Sequence, residues 1–112
     1  MKYNTKLVGV TFANRQKNIE RSQDIINSKC ELYWHNDVLN QYDANAVEVY
    51  ADKSMTSSLG HLSRISAEKF MNRVRKGETM KIFAEQTTGG APPKSFGVNV
   101  LIMSDVDGKS TN

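Results

Sequence analysis

One cysteine, two prolines and one tryptophan are all that this 112-residue chain holds of the residues that staple, kink or anchor small domains. With Cys30 alone no internal disulfide can form, which points to a reducing compartment. The same scarcity argues against zinc. Cys30, His35 and His61 have no ligand spacing and cannot close a four-ligand site without carboxylates, so neither a metal nor another cofactor is expected. Long apolar runs are missing as well. The N-terminus leads into only Leu7 to Val10, far short of a signal-peptide core or a membrane span. The expected setting is therefore away from the membrane and cytoplasmic, nucleoid-associated if the chain binds DNA. Charge of one sign is scarce too: fifteen Lys/Arg against twelve Asp/Glu leave +3, which permits a polyanionic partner without requiring one.

Catalytic signatures are equally thin. The chain has no Gly-x-Ser-x-Gly, no Gly-x4-Gly-Lys-Ser/Thr and no His-Glu-x-x-His. Gly89-Gly90 precedes Pro92-Pro93 and not a helix, so it is no phosphate loop. A His61–Asp43 acid/base pair is conceivable, but no nucleophile or metal completes it. The expectation is a protein that is not an enzyme.

What is present is the patterning of one small domain over residues 1–112. Leu7 to Phe12 alternates as a strand. Asn14 is placed to cap a polar helix through about Ile26, with Ile19 and Ile26 on one face. Cys30 to His35, Ala46 to Tyr50 and Leu59 to Leu62 read as further strands. Ser66 is expected to cap a helix over Ala67–Lys76 that Gly77 closes, with Ala67, Phe70, Met71 and Val74 inward and Lys69, Arg73 and Lys76 outward. Met80 to Gln86 and Ser95 to Met103 complete the strands, and residues 104–112 read as a flexible tail. The order β-α-β-β-β-α-β-β predicts an α+β fold with two helices on a curved, mostly antiparallel sheet, its core over about residues 6–103.

The most informative segment lies between two of those strands. Asn40-Gln41-Tyr42-Asp43-Ala44-Asn45 is an Asx-dense turn carrying one tyrosine, and Leu59-Gly60-His61-Leu62 follows shortly after. A tyrosine offers a face on which any base stacks. A neighbouring aspartate accepts a hydrogen bond yet repels phosphate, which suits a ligand presenting a free hydroxyl, a chain end. The same residues also make an ordinary Asx turn, with Asp43 and Asn45 bonded to their own backbone.

Three pieces in order, Val8-Gly9-Val10-Thr11-Phe12, Asn40-x-Tyr42-Asp43-x-Asn45-Ala46-Val47 and Leu59-Gly60-His61-Leu62-x-Arg64 before Ser66-Ala67, resemble the HIRAN domain over roughly residues 7 to 103. The resemblance implies an OB-like fold and a stand-alone module of the bacterial or phage type that recognises single-stranded 3′ ends of DNA. It implies that Phe12 and Tyr42 stack bases, that Asp43 binds the terminal hydroxyl with Asn40 supporting the turn or touching the sugar, and that His61 and Arg64 hold phosphates. Phe96 falls where an aromatic closes the pocket, and Lys94 stands at its rim. Fused relatives often carry a basic residue and a tyrosine where this chain has Thr11-Phe12, which keeps a stacking ring but lacks a phosphate contact and a hydroxyl. Partners implied are DNA ends and a helicase, nuclease or polymerase of DNA repair, replication or phage DNA processing. The alternative is a protein-interaction adaptor on the same fold, and a small hydrolase dependent on His61 is a third reading.

Overall fold

Residues 2–108 of the chain are described by a computed structural model. Six strands form one antiparallel sheet: β1 (Lys2–Lys6), β2 (Glu31–Asn36), β3 (Val47–Tyr50), β4 (Ser58–His61), β5 (Met80–Thr88) and β6 (Gly97–Ser104), in the order β1-β6-β5-β2-β3-β4. Four helical segments accompany them, α1 (Arg15–Arg21), α2 (Gln23–Asn27), α3 (Arg64–Arg75) and the single turn α4 (Asp105–Gly108). This is the OB-like α+β architecture, with the expected first helix divided at the buried Ser22 and one helical turn added after β6. The remainder of the expected tail, 109–112, lies outside the described residues.

The sheet curls back on itself at one short crossing. Leu7 N–H donates to the Val98 carbonyl of β6 at 2.9 Å, and the next residue, Val8, exchanges two backbone bonds of 2.8 and 2.9 Å with His61 of β4. The two edge strands are thus joined through adjacent residues, which blunts edges that would otherwise invite foreign strands. Inside lie Leu32, Val47, Val49, Leu59, Ile82, Val98, Val100 and Ile102 from the strands, with Ile19, Ile26, Ala67, Phe70 and Met71 from the helices. Trp34 meets Phe70 edge-on at 4.8 Å, and its indole donates to the Met80 carbonyl.

The expected strand over Leu7–Phe12 does not form; the ladder to β6 belongs to the polar residues Lys2–Lys6. Gly9 (φ 67°) and Ala13 (φ 53°) turn the chain back on both sides of Phe12, so Val10-Thr11-Phe12 becomes a tight corner. The expected start of α3 is also one turn late. Ser63, in extended conformation, caps the helix by accepting the Ser66 N–H at 3.2 Å, and Ser66 itself is buried within the first turn. Gly77, at φ 90°, terminates the helix as its position predicts.

Candidate nucleic-acid interface

On the outer face of β3 and β4, Glu48 and Tyr50 stand opposite His61 and Ser58, while Val47, Val49 and Leu59 point inward. A register shift leaves Leu59 without a partner across the ladder, so that Ser58 and His61, three positions apart, serve the same face. Arg15, at the start of α1, reaches into this face with a side chain only 7% exposed. Its Nε donates to Ser58 Oγ at 3.1 Å, Nη1 to the Gly9 carbonyl at 2.9 Å, and Nη2 to both Glu48 Oε2 at 3.2 Å and His61 Nδ1 at 2.9 Å. A guanidinium carries five donors in a fixed fork, and this fork is almost fully used. Ser58 Oγ also donates to Glu48 Oε2. Gly9 suits its place: at φ 67° its carbonyl turns to Arg15, and a Cβ there would stand 2.8 Å from Nη1.

The electrostatics follow from this packing. Burial alone would raise the Glu48 carboxyl, but hydrogen bonds from Ser58, Tyr50 and Arg15 outweigh it and hold the group below the usual carboxylate range. Burial, and then the adjacent carboxylate, push the Tyr50 hydroxyl up to about 12. For His61, burial and then the Arg15 charge lower the imidazole, while Glu48 and Asp37 pull the other way without cancelling the effect.

Phe12 stands at the corner in front of this cluster, 70% exposed, with the Arg15 guanidinium 5.7 Å from its ring centroid. It is therefore not the end of a strand but the tip of a turn. A cavity of about 250 Å3 opens beside it, lined by Phe12, Asn14, Asn18, Glu48, Thr56 and Ser58 among others. A larger depression, about 420 Å3, is lined by Asn4, Thr5, Glu85, Gln86 and Asn99 of β1, β5 and β6 and has no aromatic wall.

A second candidate region is the loop before β3. Asn40 Oδ1 accepts the backbone N–H groups of Tyr42 and Asp43 at 2.9 and 3.0 Å, and its amide donates to Asp37 Oδ2 at 3.3 Å. Asp43 Oδ1 accepts the Asn45 N–H at 2.9 Å. These are the local bonds of consecutive Asx turns, and they leave the Tyr42 ring 87% exposed. Two longer ties hold the loop. Asn36 donates to the Ala44 and Ala46 carbonyls, and Arg75, near the end of α3, donates to Asn45 Oδ1 at 2.5 Å. Asp37, which accepts from Asn40, is also the weakest of the four influences on the His61 imidazole.

The other expected residues are distributed unevenly. Phe96 is half-buried against the core and the Gly90 backbone, and Gln16 clamps it to the Phe12 corner by bonding the Phe96 N–H, the Phe96 carbonyl and the Val10 carbonyl. Lys94 is exposed in the β5–β6 turn, bonded only through its backbone. Arg64 opens α3, exposed. Of the outer stripe on α3, Arg73 is held by Glu78 at 3.1 Å. Sequence reading missed Arg15, Glu48, Ser58, Gln16 and Arg75. The one signal available for Arg15 was a basic residue where Asn14 begins a helix, which looks the same as a solvated surface charge.

No family model matches the chain, and no curated protein does. Among solved structures, the crystal structure of the HIRAN domain of human HLTF is similar, with a TM-score of 0.59 over 90% of this chain and 74% of that one, at 15% identity. At that identity the likeness is one of fold. The chain has a HIRAN-like fold, and no helix among the described residues is long and apolar enough to cross a membrane.

Proposed function

We propose that this chain is a binding module for single-stranded 3′-OH ends of DNA and performs no catalysis itself. The observation that carries the reading is Tyr42, fully presented on a turn whose backbone is already satisfied by Asn40 and Asp43. The fold gains nothing from such an exposed ring, whereas a base stacked on it contributes about 1–3 kcal/mol. The HIRAN-like fold and the exposed Phe12, its ring against the Arg15 guanidinium, support it. In this reading Tyr42 and Phe12 take bases, with Phe96 behind the Phe12 corner. Asp43 keeps a free oxygen for the terminal hydroxyl, and Asn40 holds the turn. His61, Arg64 and Lys94 take phosphates, joined by Arg75. Few phosphates are touched in this reading, so affinity is modest and salt dependence moderate. A helicase, nuclease or polymerase acting on DNA ends is the partner such a module serves, in a compartment that contains DNA.

The test is fluorescence anisotropy with short single-stranded DNAs differing only at the 3′ terminus. Preference for 3′-OH over 3′-phosphate, lost in Asp43→Asn with the fold intact, supports the end-reader. Equal binding to both termini, erased by salt, defeats it. One observation favours the adaptor reading: Val38 and Leu39, in the same loop, are 62% and 87% exposed. If Leu39→Ser abolishes capture of a protein partner from nuclease-treated extract while the chain ignores DNA, the adaptor reading takes precedence.

A further inference from the structure

A guanidinium has only donors and does not lose its proton in proteins. Its contact with His61 Nδ1 at 2.9 Å is therefore a hydrogen bond only if Nδ1 offers a lone pair. The ring's proton must then sit on Nε2, and a second proton would set N–H against N–H. We infer that Arg15 is a positioning residue that locks His61 in the neutral Nε2–H form, so that the ring meets its ligand as a hydrogen-bond donor and not as a cation. The ligand's identity, an acceptor oxygen of the DNA strand beside its terminus, rests on the end-binding reading. The tautomer is a property of the free protein.

The charges around the ring come from three elements: Arg15 from α1, Glu48 from β3 and Asp37 from the loop after β2. The two carboxylates favour an imidazolium. Glu48, however, is already engaged through Oε2 by both Arg15 and Ser58, and Arg15 is the buried charge in direct contact with the ring. Three further bonds, to Ser58, Gly9 and Glu48, fix the guanidinium, so it does not readily swing away when the ring gains a proton. A neutral donor serves a phosphate or sugar oxygen without releasing a counterion or importing a pH dependence.

The experiment is long-range proton–nitrogen NMR of His61 in the free protein across the range where an ordinary imidazole titrates, near 6.5. Expected are a bare Nδ1 and a protonated Nε2 at neutral pH. A proton on Nδ1, or an imidazolium at neutral pH, overturns the inference. Two variants separate it from a merely structural role. Arg15→Gln should raise the His61 midpoint and Glu48→Gln should lower it further, whereas general loosening would raise both. If Arg15→Gln does not fold, the wild-type tautomer and the Glu48→Gln shift decide. Binding of a 3′-OH oligonucleotide should change by no more than about twofold across the same range. Loss of DNA binding with the tautomer intact counts against the end-reader alone. DNA binding with the wrong tautomer counts against the Arg15 role alone.

Discussion

In the turn that carries Tyr42, the side chains of Asn40 and Asp43 bond backbone groups two or three residues away. In the cluster beneath Phe12, Arg15 binds partners 6, 33, 43 and 46 residues away. The first takes most of its shape from its own sequence, with ties from Asn36 and Arg75, and the second exists only when α1, the Gly9 corner and the β3–β4 pair have packed. A locally built turn costs little entropy to keep ordered and can present an exposed ring at almost no expense to the fold. A buried guanidinium is the opposite case, since every lost partner leaves a desolvated charge.

Removing each region's central residue should separate them most. Arg15→Met should cost about 3–5 kcal/mol in urea denaturation, because Glu48 is left without its cation. Asn40→Ala, which removes two short local bonds, should cost about 1 kcal/mol. Equal losses would erase the distinction between the regions. Next in size, and resting on the end-binding reading, Tyr42→Ala should weaken oligonucleotide binding by about 1–3 kcal/mol while leaving the melting temperature unchanged. A drop in melting temperature would mean that the ring serves the fold after all.

The smallest effect is expected from acid. His61 is lowered from 6.5 in the folded chain, so the unfolded state takes up its proton first and stability declines as pH falls below that value. Glu48, lowered from 4.5, adds a further loss of the same sign below its own range. Glu48→Gln should remove the lower portion of the decline, as read from melting temperature against pH, and keep the upper one. An acid profile identical to wild type would show that the cluster does not carry the proton linkage.

Much of the architecture was legible because it rests on periodicity. Val47/Val49 and Val98/Val100/Ile102 alternate into the core, and Phe70, Met71 and Gly77 mark the inner face and the end of α3. The first strand was not legible: Leu7 to Phe12 carries the apolar alternation, but Lys2–Lys6 makes the ladder as an edge strand with Lys2, Asn4 and Lys6 exposed. Edge strands are written in polar residues, and apolar residues at a sharp corner imitate a strand when only their order is read. The helix start went wrong for a related reason. Ser63 and Ser66 are both competent caps; the helix uses Ser63, whose hydroxyl accepts the Ser66 N–H, and Ser66 is buried in the first turn.

By itself, the sequence determined the Asx bonds of the turn at residues 40–45, because Asn40 and Asp43 bond N–H groups two or three residues on. It determined the buried faces too, since apolar spacing selects them. Tertiary structure alone decided that Arg15 would be the buried Lys/Arg among the described residues, and that His61 would face it. The physical reason is range. Local hydrogen bonds and periodic burial are written along the chain, whereas the protonation of one histidine depends on which distant charge the fold brings to 2.9 Å from its ring.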